Sequence, residues 1–452
     1  MTNALSTRQA CIIMFISIIC NKMLSLNSII AFDCLNDTWI VFAISFVIEF
    51  LFILIFLYLI KIIDKPILQY VKEKFGKVVS TILALLIAFL FLLKTTEVMV
   101  DIYLFFVQLI YTEINRILFV ICFITIVYYF GSRKLRSLGR TAEILLVLIV
   151  SSIILSFFIS IKSFDIEKLL PIFNTNFRVI WHNILSHNLW FGDFMILFYI
   201  IGNIKREKCT TKSIIWTHVL SFLVVVVCVI LFTCAFGNTA SMHRVSLIDI
   251  TEFSPRLTAQ GRFNWIVYIT FPIALVLGLG IYSNYVTMSF KFFVRDNVKS
   301  KNTISAAITT ACVLAICIIF RFTYTAFYNF VTGYMQYFIL VIQYVIPIVL
   351  LNIILIKKSI DSKKENKMLG EMYRLNKIEN LKIQTKIQKN NKKTLKNSKN
   401  FDNFEINMKN IDNKPRVKSN KRQEVKVWLE KFHTARLWYF YSYFLHFWCL
   451  QH

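Results

Sequence analysis

Residues 17–28 have the sequence SIICNKMLSLNS and lie in the first long apolar run of the chain, which extends from Ala10 to Phe32. Such a run is typical of a helix that crosses a membrane, because about 20 apolar residues span a hydrocarbon core of about 30 Å. Lys22 falls near the middle of the run. Since a charge at that depth is costly unless protein surrounds it, the sequence predicts that Lys22 is buried and paired.

The composition of the whole chain indicates a membrane protein. Of its 452 residues, 57% are hydrophobic and only 17% are charged, which is more apolar side chain than a soluble domain needs. The net charge of +26 would suggest nucleic-acid binding in a soluble protein. More than half of that charge lies from Lys357 onward, however, so no nucleic-acid partner is expected. The predicted class is an all-α integral membrane protein in a lipid bilayer.

Apolar runs predict ten membrane spans, numbered 1 to 10 in chain order. Their bounds are 10–32, 39–61, 78–110, 116–132, 142–162, 178–204, 213–236, 264–290, 303–329 and 333–356. The loops between them alternate in charge, with 18 Lys and Arg residues on the side of the N terminus and 7 on the other side. By the positive-inside rule, both termini are therefore predicted to be cytoplasmic.

The chain divides into three regions by composition. Residues 1–356 form the predicted membrane domain, and residues 357–427 are rich in Lys and Asn. This basic tail is predicted to be disordered, because it cannot bury enough apolar surface to offset its ordering entropy. It is either a solvated cytoplasmic segment or a polybasic stretch held against anionic lipid. Residues 428–452 are rich in aromatic side chains, and no function is assigned to them.

The sequence contains none of the common catalytic motifs. It has no Walker loop, H-E-x-x-H, G-x-S-x-G or dinucleotide fingerprint. Its histidines show no metal-ligand spacing, and most of its cysteines lie inside apolar runs without a C-x-x-C pair. We therefore expect no enzymatic activity, no cofactor and no metal site.

Ionisable residues inside predicted spans are the clearest functional signal, because such residues usually face the protein interior or a water-filled cavity. The set comprises Lys22, Glu49, Lys94, Glu97, Asp101, Asp193 and Arg321. Lys94, Glu97 and Asp101 are three and four positions apart, which places them on one face of span 3. Glu49 and Arg321 carry less weight, since they lie nearer span ends or have snorkelling reach. The alternative interpretation is that these charges only fix helix packing.

Two spans are interrupted near their centres. Span 1 is interrupted from Asn21 to Ser28, and span 6 contains the sequence WFGD with Gly192 at its midpoint. Each is the first span of a five-span half, which is the arrangement expected of inverted-repeat transporters with unwound backbone at the binding site. A glycine tolerated in a membrane helix is the structural alternative. The second break gives Lys22 a predicted counter-charge, Asp193, with Glu97 or Asp101 as alternatives.

Several segments carry a family resemblance. They are LSTRQACIIMFISIICNKMLSL (5–26), DCLNDTW (33–39), KPILQYVKEKFGKVVS (65–80), GSRKLRSLGRTAEI (131–144), LLPIF (169–173) and NLWFGDFMILF (188–198). In this order and spacing, they resemble the spore-germination permease family, the B subunits of germinant receptors within the amino acid-polyamine-organocation transporter superfamily. The resemblance covers roughly residues 5–356. It implies ten spans in two inverted repeats of five, with a central site between broken helices 1 and 6.

The resemblance also implies a function and a set of site residues. The expected function is recognition or transport of a small amino-acid-like solute by alternating access. The implied site residues are Ser17, Asn21, Lys22 and Ser25 of helix 1, Trp190, Gly192 and Asp193 of helix 6, and Gly278 and Tyr282 of helix 8, with Phe105 and Gln108 of helix 3 as neighbours. The implied partners are a larger membrane subunit with a cytoplasmic domain and a lipoprotein, in the inner spore membrane of a spore-forming host. A non-transporting scaffold subunit and a water or ion channel are the competing functions.

Overall fold

The computed structural model describes residues 5–63, 65–109, 115–161, 164–205, 207, 209–252, 264–294, 300–320 and 323–397, and these residues form helices without a strand. The helices are α1 (Thr7–Lys22), α2 (Leu26–Cys34), α3 (Thr38–Ile62), α4 (Ile67–Phe75), α5 (Lys77–Leu109), α6 (Arg116–Ser132), α7 (Leu135–Ser160), α8 (Phe177–Ser186), α9 (Leu197–Ile200), α10 (Thr210–Phe236), α11 (Ser246–Glu252), α12 (Asn264–Phe290), α13 (Lys301–Ile319), α14 (Tyr324–Thr332), α15 (Met335–Leu340) and α16 (Ile346–Asn397). Short 3₁₀ turns at Leu35–Asp37, Ile166–Leu169, Asp193–Ile196 and Gly237–Met242 and a π-helical turn at Val341–Val345 lie between them.

Seven helical stretches of the described chain are long and apolar enough to cross a membrane. They are Leu26–Ile62, Lys77–Gln108, Leu135–Ser160, Thr210–Met242, Val267–Phe290, Lys301–Ile319 and Met335–Ile360, and α6 is a shorter apolar helix. Together these eight helices coincide with predicted spans 2 to 5 and 7 to 10. The second half of predicted span 1 is α2, which lies within Leu26–Ile62, whereas α1 and the segments of predicted span 6 are too short to enter the set. The all-helical membrane class is thus confirmed, and the ten-span, two-repeat arrangement stays a prediction.

Polar residues in the loops determine where several of these helices begin. The Ser6 hydroxyl accepts a hydrogen bond from the Gln9 backbone N–H over 3.2 Å, which caps α1. Asn115 caps α6 and Asn176 caps α8 in the same way, with 3.0 Å and 2.9 Å bonds from backbone N–H groups two residues later. A cap of this kind satisfies an N–H that has no partner within its own helix, so the chain leaves the loop at a defined residue.

The break in span 1 lies between α1 and α2, and comprises residues 23–25. The break in span 6 comprises residues 187–192, between α8 and the 3₁₀ turn that leads into α9. Gly192 has a φ of +82°, in the left-handed region that costs other residues about 1–2 kcal/mol. A Cβ at this position would also lie within 2.6 Å of the Gln343 side chain. The glycine therefore allows both the turn and the close approach of the π-helical turn.

Helix α12 lies in the middle of the packed domain and contacts α1, α5, α6, α7 and α13. Its Tyr282 and Tyr285 are fully buried, as are Trp190 of the second break and Phe91 of α5. Large apolar side chains such as Val147 of α7 remain exposed on the outer helices. Exposed apolar surface of this extent is unfavourable in water but suits contact with lipid acyl chains.

The described part of the basic tail continues α16 as far as Asn397. Residues 1–363 and 364–452 form two separate units. A strongly polar helix that packs against nothing is stabilised mainly by its own backbone hydrogen bonds, and these alone make a helix only marginally stable in water. Disorder of residues 357–427 in solution therefore stays a prediction, and residues 428–452 lie outside the described residues.

Candidate functional site

Lys22 at the end of α1 and Asp193 at the start of the 3₁₀ turn form a buried ion pair that joins the two helix breaks. The Lys22 Nζ lies 2.5 Å from the Asp193 Oδ2, and both side chains are 0% exposed. Of the counter-charges that the sequence offers for Lys22, the structure thus brings Asp193 into contact.

A second cation and a second carboxylate complete this central charge cluster. The Lys94 Nζ of α5 lies 2.8 Å from the Asp193 Oδ1, and the Glu49 Oε1 of α3 lies 3.5 Å from the Lys22 Nζ. Both added side chains are also buried. The cluster, defined as Lys22, Glu49, Lys94 and Asp193, contains two positive and two negative charges. Since attraction between charges is strong where water is excluded, this balance compensates the cost of burial.

Helix α12 reaches the same cluster through Tyr282. Its hydroxyl lies 2.8 Å from the Asp193 Oδ1 and 3.2 Å from the Ser17 carbonyl oxygen of α1. The ammonium groups also face aromatic rings: the Lys22 Nζ is 5.2 Å from the centre of the Phe191 ring, and the Lys94 Nζ is 5.6 Å from that of Tyr282. The negative ring faces add a favourable electrostatic contact. One carboxylate, Asp193, therefore contacts polar groups of α1, α5 and α12.

The backbone groups that are freed by the second break bind side chains of the protein itself. The Asn21 amide donates to the Trp190 carbonyl over 2.9 Å. The Phe191 carbonyl accepts from Lys94 over 3.0 Å and from Gln343 over 3.3 Å. These bonds allow an unwound segment to persist away from water.

Two further backbone groups of the second break bind an acidic side chain. The Glu49 Oε1 accepts the Gly192 N–H over 2.5 Å and the Asp193 N–H over 3.3 Å. Glu49 therefore balances the charge of Lys22 and also accepts hydrogen bonds from N–H groups at the start of the 3₁₀ turn. This dual contact gives it more structural importance than its sequence position suggests.

Ser246 of α11 performs the equivalent task at the first break. Its hydroxyl lies 3.0 Å from the Met23 carbonyl oxygen and 2.9 Å from that of Leu24. Its backbone N–H also donates to the Leu24 carbonyl, and its hydroxyl accepts from the Asn27 amide over 2.8 Å. The first break is thus held by a short helix from the loop between predicted spans 7 and 8.

A second polar group lies along α5 beyond the central charge cluster. The Ser25 hydroxyl donates to the Asp101 Oδ1 over 2.9 Å, and the Tyr324 hydroxyl lies 3.2 Å from the Ser25 oxygen. Glu97, one turn before Asp101, is 1% exposed, and no donor in the described part of the chain reaches either of its carboxyl oxygens. The ionisable residues on one face of span 3 thus lie in two groups. Lys94 belongs to the central charge cluster, whereas Glu97 and Asp101 lie beside the first break.

Three aromatic side chains connect this second group to the second break. The ring of Tyr324 stacks on that of Tyr328, and the Tyr328 ring centre lies 5.9 Å from that of Trp190. We call Trp190, Tyr324 and Tyr328 the aromatic wall. The Trp190 Nε1 and the Asn21 Oδ1 are buried and have no hydrogen-bond partner among the described residues. These two atoms therefore offer a donor and an acceptor beside the breaks, and the Asn188 Oδ1 and the Gln343 Oε1 are further acceptors without a partner among the described residues.

A comparison of the sequence with protein-family models finds a matching family. The model described as a spore germination protein matches residues 4–326, which is more than half of the chain. The chain belongs to the spore germination protein family. A comparison with curated proteins finds no match. The resemblance to the spore germination permeases that the sequence motifs indicate is thereby confirmed.

Membership of the spore germination permeases indicates the general class of membrane protein to which the chain belongs. The family is a family of membrane transporters or receptors and is not a class of enzymes. The matched residues include the complete central charge cluster, Glu97 and Asp101. Gln343, which binds the Phe191 carbonyl, lies beyond the match.

The remaining site residues expected of a spore germination permease fall into different places. The Ser17 hydroxyl bonds within its own helix, to the Ile13 carbonyl. Gly278 allows α12 to approach α1, since a Cβ there would lie 3.3 Å from the Cys20 Cβ. Phe105 is buried beside Phe271, and Gln108 is exposed near the end of α5. The role of each in solute binding stays a prediction. Arg321, which the sequence gives only as an ionisable residue within a span and not as a solute contact, lies outside the described residues.

Sequence reasoning did not select several residues that hold this centre together. Glu49 is visible in the sequence as a charge within a span, but its position there gives no sign that it contacts both Lys22 and the second break. Gln343 is a polar residue inside the apolar run FILVIQYVIPIVL, and this signal could have been used. Ser246 and Tyr324 carry no such signal, because a hydroxyl in a loop or near a span end is common.

Proposed function

We propose that the protein recognises or transports a small amino-acid-like solute at the junction of its two helix breaks. The observation that carries this proposal is the direct link between the breaks, through the Lys22–Asp193 ion pair and the Asn21–Trp190 hydrogen bond. Unwound, buried backbone at two facing positions is what a mid-membrane solute site requires. The family assignment is consistent with a permease-like role.

The proposed architecture comprises ten spans in two inverted repeats of five, with both termini cytoplasmic. The breaks between α1 and α2 and between α8 and α9 support it, because they fall in the first span of each proposed half. Alternating access then consists of rocking the broken helices against the remaining spans. In a receptor, the same rocking serves as the signal.

The aromatic wall and its polar neighbours support an amino-acid-like solute. The free Trp190 Nε1 donor suits a carboxylate, and the free Asn21 Oδ1 acceptor suits an ammonium group. Both side chains are fully buried, so a solute that satisfies these atoms removes an existing energetic cost. A few polar groups in an apolar surrounding are typical of small-molecule sites.

The proposal is tested with the full-length protein in proteoliposomes and a panel of labelled amino acids. We expect saturable uptake, or a solute-dependent rise in the melting temperature, for at least one of them. Asn21→Ala should weaken the response at least several-fold, whereas Ser151→Ala, at an exposed position of α7, should leave it unchanged. Lack of uptake and of stabilisation in the wild-type protein would refute the proposal.

We further propose that the protein is a subunit of a germinant receptor in the inner spore membrane. A larger membrane subunit with a cytoplasmic domain and a lipoprotein are the proposed partners. Affinity purification from spores of the host tests this, and recovery of the protein without either partner contradicts it.

The second candidate is a non-transporting scaffold subunit. One observation favours it: the four freed backbone groups of residues 190–193 described above all bind side chains of the protein itself. A scaffold predicts co-purifying partners without solute binding. A water or ion channel, in contrast, predicts conductance or osmotic permeability without saturable uptake, which the same proteoliposomes measure.

A further inference from the structure

We propose that Glu97 and Asp101 of α5 form a proton-binding site, in which one exchangeable proton is shared between the two carboxyl groups. The site is distinct from the central charge cluster. It goes beyond the proposed function, because it concerns the protein without any solute. The ligand is a proton and not a metal or organic cation.

The geometry of α5 brings the two carboxyl groups together. Glu97 and Asp101 are four positions apart on α5, and residues at this spacing are neighbours on one helix face with Cβ atoms about 5–6 Å apart, close enough for their carboxyl groups to meet. They are 1% and 2% exposed. Ionised carboxylates contain only acceptor atoms, so a hydrogen bond between them requires a proton on one of the two.

The surrounding donors leave room for that proton. Asp101 accepts a hydrogen bond from the Ser25 hydroxyl, which satisfies one of its oxygens. Neither Glu97 oxygen has a donor in the described part of the protein. A buried carboxylate without donors is unfavourable by several kcal/mol in general, whereas a protonated carboxyl that donates to its neighbour is not.

The charge balance of the buried spans leads to the same result. The fully buried cations of the described residues are Lys22 and Lys94, and Glu49 and Asp193 already balance them. Two ionised carboxylates in addition would leave two unbalanced negative charges side by side in a medium of low dielectric constant. One proton removes half of that excess, and the Ser25 hydroxyl stabilises the charge that remains.

Among the residues that the structure describes, no further cation is found around the pair. The neighbouring polar groups are Lys94 on the same helix, Ser25 at the first break, Asp193 at the second, Tyr282 of α12 and Tyr324 of α14. Lys94 is the positive member, and its ammonium group already bonds to Asp193 and to the Phe191 carbonyl. The two tyrosines are neutral near pH 7.

The proton site is one hydrogen bond away from the first helix break. Loss of the proton places two charges beside each other, and their repulsion changes the position of Asp101 relative to Ser25. Ser25 also contacts Tyr324 of the aromatic wall. Protonation is thereby connected to the conformation of residues 23–25. This connection to solute movement rests on the proposed function, whereas the proton itself does not.

Infrared spectroscopy of the full-length protein in lipid nanodiscs tests the site. A protonated carboxyl group has a C=O stretching band that is separate from the carboxylate bands and that shifts in heavy water. We expect this band in the wild-type protein at neutral pH, and its loss in Glu97→Gln and in Asp101→Asn. The control variants Glu73→Gln and Asp249→Asn, which change carboxyl groups outside the spans, should retain it.

Two outcomes would overturn the site: no such band in the wild-type protein, or a band that both α5 variants retain. If the variants do not fold, isotope labelling of glutamate carboxyl groups in the wild-type protein replaces them. The band must then shift with the label and vanish at high pH. A melting temperature that rises with sodium or potassium chloride, with no protonated band, would indicate a bound metal cation and refute the proton. These measurements use no solute, so they are independent of the uptake assay.

Discussion

Lys22 and Asp193 are 171 positions apart in the chain, yet their charged atoms lie 2.5 Å apart in the centre of the protein. Each residue lies at the edge of a helix break. The ion pair therefore fixes the relative position of two irregular segments that have few backbone hydrogen bonds of their own. Removal of either charge should affect the stability of both breaks.

Substitution of Lys22 tests this directly. Lys22→Met leaves two carboxylates facing one ammonium group, and we expect it to lower the free energy of unfolding by about 3–5 kcal/mol, as is usual for a broken buried pair. The measurement is reversible unfolding in detergent. The matched control is Lys65→Met, which removes an exposed pair with Glu73 that has a 2.7 Å contact. Its expected effect is small, because solvent and salt screen an exposed pair. Equal effects of the two substitutions would contradict a special role for Lys22.

Alanine substitutions at two left-handed glycines should differ in severity. At Gly192, the nearest atoms to a new Cβ belong to the flexible end of Gln343. At Gly202, a Cβ would lie 2.1 Å from the Pro66 backbone nitrogen, which cannot move away without shifting the chain. In both variants, an alanine with a positive φ costs about 1–2 kcal/mol of conformational strain. We therefore expect Gly202→Ala to lower the melting temperature more than Gly192→Ala.

The double substitution at Gly192 and Gln343 separates strain from overlap. Gly192→Ala combined with Gln343→Ala should cost less than the sum of the two single changes, because the second removes the overlapping atoms. Additive effects would show that the overlap contributes nothing and that the backbone conformation alone makes glycine necessary.

Ser246 should stabilise the first break. Ser246→Ala removes a hydroxyl that contacts two carbonyls and the Asn27 amide, and we expect a loss of about 1–3 kcal/mol from the groups left unpaired. Hydrogen exchange should become faster at residues 23–26 and remain unchanged in α7. Ser151→Ala removes an exposed hydroxyl that bonds within its own helix and is the control. Unchanged exchange at the break would indicate that other contacts hold it.

Asp249 of α11, outside the spans, should contribute a pH dependence of stability. Burial raises the pKa of its carboxyl group from 3.8 to about 6. Since the folded protein binds this proton more tightly, the contribution to stability is fully present below a pH of about 4 and is lost as the pH rises through about 6. Asp249→Asn should remove this decline from a series of melting temperatures. A decline of the same size in the variant would assign the effect to other groups.

The sequence predicted the parts of this structure that are energetically costly to place in a membrane. Two lysines, three carboxylates and a WFGD segment within apolar runs are recognisable because few arrangements tolerate them, and the breaks between α1 and α2 and between α8 and α9 lie where they indicate. Long apolar helices were predicted for the same reason, since length and composition alone define them.

Other features depend on packing between distant segments and left little trace in the sequence. The role of Glu49 requires knowing that α3 lies beside the second break, and Ser246 has no cost that distinguishes it from other loop serines. The choice of Asp193 over Glu97 and Asp101 as the contact of Lys22 likewise depends on the depth and rotation of each helix. Spacing along one helix determines its faces but not the helices that those faces meet.

The contacts of Asp193 have a mechanical consequence. Its carboxylate binds Lys22 of α1, Lys94 of α5 and Tyr282 of α12, while its own backbone continues into the 3₁₀ turn before α9. A rotation of this segment that moves Asp193 by more than about 1 Å stretches three hydrogen bonds at once, beyond the range in which they are strong. The four segments must consequently turn together about this one side chain, or release it in a single step. Intermediate positions of Asp193 are disfavoured. The centre of the protein therefore favours two states, one in which Asp193 keeps all three contacts and one in which it has released them.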